Sequence, residues 1–468
     1  MDTSSEHEAP PQLVRGLGVW DAALLTIGSI LGTGIFITTG DIARGVPHAG
    51  LILALWVVGG LLTLAGALTY AELGVLFPRA GGQYQFLKEA YGPLPGFLFG
   101  WGAFFIIMSG GIATLAVGFG EYLGAFVPFF STRNPVLALP FEGFVLNGGQ
   151  LAGALAIAVL TAVNYLGLKE GAGLQNVVTI VKVASLVGLA LFGLLVPATA
   201  APRLTAPLPP GNLLAALGVG MIAVIWSFDG WYAVTNVGSE MRRPERDLPR
   251  GLIAGTIAVT LLYVLMNLVY VRALSVEDMA RTPRIGEAAA QALFGPLGAR
   301  LITVAVLVSS FGCISSTILY AARIYLPMAE DGVFFPALAR IHPRYRTPSA
   351  SILAQGAWSI LLAFSGSYEQ LFTFVTFAVV LFHAATGAAV IVLRRRLPDA
   401  PRPYRVWGYP FVPLVFILSS AALVLNTLVE KPKESALGLG LLLLGIPAYL
   451  WWRRRPAVTA AGRPDRSA

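Results

Sequence analysis

Long stretches without a charged side chain recur along this chain, at residues 51–70, 92–120, 143–168, 204–228, 252–271, 301–322, 347–368, 370–393, 406–429 and 435–452. Two more, 16–40 and 171–197, carry one charge each, Asp21 and Lys182. A helix that crosses a bilayer needs about 20 mainly apolar residues, and in lipid every backbone N–H and C=O must be satisfied within the structure. The pattern therefore predicts an all-α integral membrane protein with 12 transmembrane helices. With 56% hydrophobic and only 12% charged residues in 468, a soluble multidomain protein is excluded.

The start, MDTSSEHEAPPQ, lacks the basic region and the small-residue cleavage site of a secretory signal, so the first span is expected to stay in the mature chain. Basic residues concentrate in alternate loops, as in Arg242, Arg243, Arg246 and Arg250, in Arg394, Arg395 and Arg396, and in Arg453, Arg454 and Arg455. The opposite loops hold scattered ones such as Arg44, Arg133, Arg272 and Lys431. By the positive-inside rule both termini are expected to be cytoplasmic and the location the plasma (inner) membrane. A basic inner surface facing anionic lipid accounts for the net charge of +8 without a nucleic-acid partner. The single cysteine, Cys313, lies mid-span and permits no intramolecular disulfide.

The Pro-rich interruption PATAAPRLTAPLPPG divides the chain into two sets of five spans. The expected organisation is an N-terminal tail (1–15), a first five-helix repeat (16–198), an extracellular linker (199–210), a second repeat (211–396), two peripheral spans (397–453) and a disordered tail (454–468). Each repeat opens with an interrupted helix, GSILGTGIF at 28–36 and WSFDGWYAVTNVG at 226–238. Paired interruptions of this kind point to a binding site in transporters built from inverted repeats, and five spans per half make the halves inverted. A mid-membrane break survives only where it is buried in protein or lines a cavity. Freed N–H groups around Gly32, Thr33 and Gly34 would sit at the positive end of a helix and suit a carboxylate. Freed carbonyls of Ser29, Ile30 and Trp226 would suit an ammonium. Together they match the zwitterion of an α-amino acid. Gly28 and Gly32 also form a GxxxG, which is commonly a helix-packing face; the second break favours the site.

Five stretches carry a family resemblance: IGSILGTGIF (27–36), ALTYAELGVLFPRAGGQYQFLKEAYG (67–92), WSFDGW (226–231), SEMRRPERDLPRG (239–251) and AARIYLPMAEDGVFFPALARIHPRYRTPS (321–349). In them the chain resembles the amino acid–polyamine–organocation (APC) superfamily, and within it the L-type amino acid transporters and their bacterial relatives. The resemblance implies a LeuT-type 5+5 inverted repeat with broken helices 1 and 6 plus two peripheral helices, and amino acid transport by alternating access. It implies Thr33 and Gly34 as the carboxylate-binding pair with Gly32 beside them. The carbonyls of Ile30 and Trp226 become the amine acceptors, and the indole of Trp226 a thin gate, with aromatic packing as the alternative. Lys182, in VVTIVKVASL, matches a lysine of sodium-independent members, where it would tie span 1 to span 8 through carbonyls near Ile30 and through Ser315. An intramembrane charge must face the bundle interior with partners. Asp229 departs from the small residue that many L-type members carry. It would either contact the substrate or cap the second half of span 6.

The loop between spans 3 and 4 has no cysteine to join an ancillary glycoprotein as in the heteromeric members, so no disulfide-linked subunit is expected. A monomer or weak homo-oligomer is. Glu72 and the RRPER cluster are placed in a network at the cytoplasmic boundary, and His383 is read as a buried hydrogen-bonded group. No metal-spaced His or Cys cluster, nucleophile motif or carboxylate pair is present, so no metal or cofactor is expected and an enzyme is disfavoured. A channel would need a continuous pore. The expected function is sodium-independent exchange of small or neutral L-amino acids. The alternatives are a proton-coupled symporter, a cationic amino acid or polyamine exchanger, and a non-transporting sensor.

Overall fold

The computed structural model describes residues 16–138, 145–166, 171–200, 204 and 207–453, with the side chains of 171–177 left out. The two expected tails and parts of the 199–210 linker lie outside the described residues. From the N-terminal end come α1 (Val19–Ile30), α2 (Gly34–Gly45), α3 (Ala49–Leu76), α4 (Gln83–Tyr91) and α5 (Pro93–Gly102). A π-helical turn at Ala103–Ile107 joins α5 to α6 (Met108–Leu123), and α7 (Gly148–Leu166) and α8 (Gly171–Leu195) follow. The chain continues with α9 (Leu213–Phe228), α10 (Ala233–Asn236), α11 (Pro244–Ala273), α12 (Val276–Arg281), α13 (Ile285–Glu330), α14 (Ser349–Ala363) and α15 (Tyr368–Arg396). It ends with α16 (Phe411–Glu430), α17 (Pro432–Leu443) and α18 (Gly445–Arg453).

Among the described residues, nine helices are long and apolar enough to cross a membrane, and α1 with α2 passes the same test as one span bent by 41°. Helices α9 and α14 also coincide with expected spans, but have 16 and 15 residues. At 1.5 Å per residue they reach roughly 24 and 22 Å, short of a hydrocarbon layer of about 30 Å. Two short strands, β1 (Pro135–Ala138) and β2 (Val145–Asn147), pair antiparallel in the loop between α6 and α7, an addition to the all-helical expectation.

The core is arranged around the two interrupted helices. α1 packs on α8, α11 and α13, while α2 packs on α9. Apolar contact alone gives little drive to join helices in lipid, so small residues that allow close backbone approach do much of this work. Gly251 of α11 lies against Ala22 of α1, and Gly60 of α3 against the Thr260 side chain. Leu195, Leu214 and Phe192, by contrast, are largely exposed, as lipid-facing side chains would be.

Candidate functional site

α1 stops at Ile30 and α2 begins at Gly34, with Leu31, Gly32 and Thr33 between them. The freed carbonyls of this break are individually engaged. Lys182 Nζ donates to Gly28 O at 3.1 Å and to Leu31 O at 3.3 Å, and Ser309 Oγ donates to Leu31 O at 3.0 Å. Cys313 Sγ donates to Ser29 O at 3.3 Å, so the buried cysteine serves the break. The Tyr263 hydroxyl lies 3.1 Å from both Ile30 O and Ser227 O, and its one proton is shared between the first and second breaks. The ammonium of Lys182 is only 1% exposed. It sits where an opposite helix end supplies negative carbonyl charge, which offsets the cost of an intramembrane cation.

One expected partner of Lys182 is corrected. Ser315 accepts a hydrogen bond from Asn164 Nδ2 at 3.0 Å, and Ser309 is the serine that reaches the break. The two serines are six residues apart, so on a 3.6-residue helix their side chains point to different neighbours.

In the second interrupted helix, α9 ends at Phe228 and Asp229 is its C-cap; α10 starts only at Ala233 and has four residues. Gly230 makes the turn at φ 94°, a left-handed conformation that side chains resist, and a Cβ there would meet Ser29 O at 2.7 Å. Asp229 does not cap α10, whose N-cap is Tyr232 without a side-chain hydrogen bond. Oδ1 of Asp229 is instead buried without a hydrogen-bond partner in the protein, as is Oγ of Ser29.

Both atoms belong to residues lining a small cavity between the breaks, together with Ile30, Gly32, Gly34, Trp226, Ser227 and Cys313. Ile107, Met108, Gly111 and Leu115 form its opposite wall. The volume of about 30 Å³ is that of one water or so, too small for an amino acid in this structure. The sequence-derived amine acceptors are already used in it: Ile30 O takes Gly32 N–H at 2.7 Å and Trp226 O takes Asp229 N–H at 3.0 Å. The N–H groups opening α2, at Gly34 and Ile35, have no partner within their own helix. Thr33 is buried as the N-cap of α2.

Trp226 lines the cavity and is held from α15. Its Nε1–H donates to Tyr368 Oη at 3.0 Å, Tyr368 Oη lies 3.1 Å from Thr33 Oγ1, and the indole stacks on Phe372 with ring centroids 6.3 Å apart. Tyr368 thus joins both interrupted helices to the first turn of α15. It was missed in the sequence, where it reads only as the polar-tipped edge of an apolar stretch. Tyr263 was missed for a related reason: nothing but its hydroxyl marks it within a charge-free span.

Several ion pairs lie on the side of the Arg-rich loops, while others, such as Arg284 with Glu287 and Lys431 with Glu369, lie with the opposite loops. Glu72 accepts from Arg394 at 2.9 and 2.7 Å and from the Val406 N–H at 2.7 Å. Arg323 donates to Glu240 at 2.8 Å, and Lys88 and Tyr84 both reach Asp331 at 2.5 Å. Burial, together with that carboxylate, pushes the Tyr84 phenol well above its ordinary value. The expected role of Glu72 in a boundary network agrees with this geometry. Among the described residues no ion pair involves the RRPER stretch; the neighbouring Glu240 takes part instead. His383 Nδ1 lies 2.7 Å from the Tyr70 hydroxyl.

Residues 17–445 match the family model described as amino acid permease. The chain belongs to that family. The permease is 30% identical over 457 residues to a serine/threonine exchanger of Bacillus subtilis, covering 96% of this chain and 100% of the other. It is 29% identical to the mouse large neutral amino acids transporter small subunit 2, over 97% of this chain and 86% of that one. With the human cystine/glutamate transporter it shares 27% identity, over 95% and 87% of the two chains. These matches agree with the resemblance seen in the motifs and with a membrane transporter rather than an enzyme.

Proposed function

We propose that the permease is a sodium-independent exchanger of small or neutral L-amino acids, acting by alternating access across the plasma membrane with both termini cytoplasmic. The observation that carries this reading is the cavity between the two breaks. It offers N–H groups at the start of α2 for a carboxylate and the unpartnered Ser29 Oγ on the other side. Gly32, Thr33 and Gly34 hold the carboxylate; Ile30 and Trp226 present carbonyls to the amine once their turn bonds release. A 5+5 inverted repeat with spans 11 and 12 outside it accounts for two breaks at the openings of the two halves. Exchange is supported by the similarity to the Bacillus subtilis serine/threonine exchanger, and small substrates by the tight apolar wall. Lys182 supports sodium independence because its ammonium already occupies the carbonyls that a cation would need. With Cys313 buried and bonded to Ser29 O, no disulfide-linked subunit is proposed.

A second reading, extension to cationic amino acids or polyamines, rests on Asp229 alone. Uptake of labelled neutral amino acids by proteoliposomes, with a panel of competitors, tests both. Wild type should be inhibited by small neutral amino acids without sodium. Asp229→Asn should keep neutral uptake within about threefold and lose about tenfold or more in competition by lysine or arginine, since a charged hydrogen bond is removed. Unchanged competition would leave the second reading without support.

Tyr368→Phe removes the acceptor for the buried Trp226 N–H. A buried donor left unpaired costs about 1–3 kcal/mol, which loosens the lid over the substrate. KM should rise about tenfold with a smaller change in maximal rate, measured as initial uptake against concentration. An unaltered KM would show the tyrosine to be packing only.

A further inference from the structure

Outside the two breaks, the largest departure from regular helix near the cavity is the π turn at Ala103–Ile107. Met108 N–H donates back five residues to Ala103 O. Relative to a straight α-helix, the one extra residue turns everything after it by about 100°. Met108, Gly111 and Leu115 follow the turn at spacings of three and four and share one helix face, and all three line the cavity with Ile107. Without the bulge that face would point elsewhere.

Two aromatic residues from other helices grip the turn, each twice. Trp358 of α14 donates from Nε1 to Phe105 O at 3.0 Å and meets the Phe105 ring edge-on at 5.5 Å. Tyr325 of α13 donates to Ala103 O at 3.4 Å and meets the Phe104 ring edge-on at 5.1 Å. A widened turn weakens the normal ladder of a helix, and in lipid the carbonyls it loosens need other donors. Trp358 supplies one to Phe105 O in the middle of the turn, and Tyr325 adds one to Ala103 O at its start, beside the Met108 N–H.

We propose that Trp358 and Tyr325 are positioning residues for side-chain selectivity: by holding the π turn, they fix which face of α6 walls the substrate cavity. The proposal rests on that cavity being the substrate site. Neither residue touches substrate.

The test is Trp358→Phe, which keeps an aromatic ring and deletes the donor. Initial uptake by proteoliposomes is measured for a small and a larger neutral amino acid, alanine and leucine. The ratio of their kcat/KM values should shift about tenfold, mainly through KM, as when a pocket wall moves by a methylene or more. A ratio unchanged within about twofold, or an equal loss for both substrates, would overturn the proposal. Thermal unfolding in detergent reports whether the variant folds; if it does not, Tyr325→Phe is measured in the same way, and an unchanged ratio there overturns the proposal. Wild type in parallel vesicles keeps the two readings apart. An active wild type with unshifted variants contradicts only the positioning role, whereas a wild type that takes up no amino acid removes the substrate site and this proposal with it.

Discussion

Lys182→Met is expected to lose uptake about a hundredfold or more while the protein still folds. The substitution keeps an unbranched apolar stem and deletes the ammonium that bonds Gly28 O at 3.1 Å and Leu31 O at 3.3 Å. Hydrogen bonds to a charged group contribute about 1.5–3 kcal/mol each, and every 1.4 kcal/mol is a factor of ten. Two such bonds lost from one helix break therefore leave its organised form a minor population. Ser309 still holds Leu31 O, so Gly28 O is the group that becomes unpaired. Initial uptake in proteoliposomes, normalised to folded protein, is the measurement. Wild-type rates in Lys182→Met would show that the lysine is spectator packing.

Gly34→Ala is expected to be comparably severe for a steric reason. A Cβ at this position would lie 2.7 to 2.9 Å from Oγ, Cα and Cβ of Ser227. Ser227 cannot step aside cheaply, because its hydroxyl bonds Ala223 O at 2.9 Å and Thr38 Oγ1 at 2.8 Å. Forcing a methyl into such a contact typically costs about 1–3 kcal/mol. The strain falls where α2 meets α9, moving the N–H groups of the first break away from Asp229 in the second. Uptake should fall by about a hundredfold, with amino acid protection against thermal unfolding lost in parallel. Retained protection would place the carboxylate contacts elsewhere.

Much of this architecture was legible in the sequence because a bilayer leaves few options. Charge-free stretches marked the helices, and glycines at 28, 32 and 34 marked the first break. Lys182 stood out because a lone charge in an apolar span must find partners. The pattern failed where the outcome depends on helix rotation. Ser309 and Ser315 both lie in span 8, and only their angular positions decided which one meets the break. Asp229 read as either a substrate contact or a cap; it lines the cavity and is not the N-cap of α10, a distinction that depends on Gly230 and the short α10 after it. Tyr263 and Tyr368 carried no signal beyond a hydroxyl, since their roles depend on carbonyls and an indole hundreds of residues away in some cases. The π turn was invisible because AFFII is as good an α-helix as any apolar run.

The central claim is that the cavity between the breaks binds an amino acid zwitterion and exchanges it without sodium. Counterflow in sodium-free proteoliposomes tests this most directly. Vesicles loaded with unlabelled neutral amino acid should accumulate the labelled form transiently, well above unloaded vesicles, with and without a proton gradient. No accumulation with any amino acid, or accumulation only when sodium is added, would contradict it.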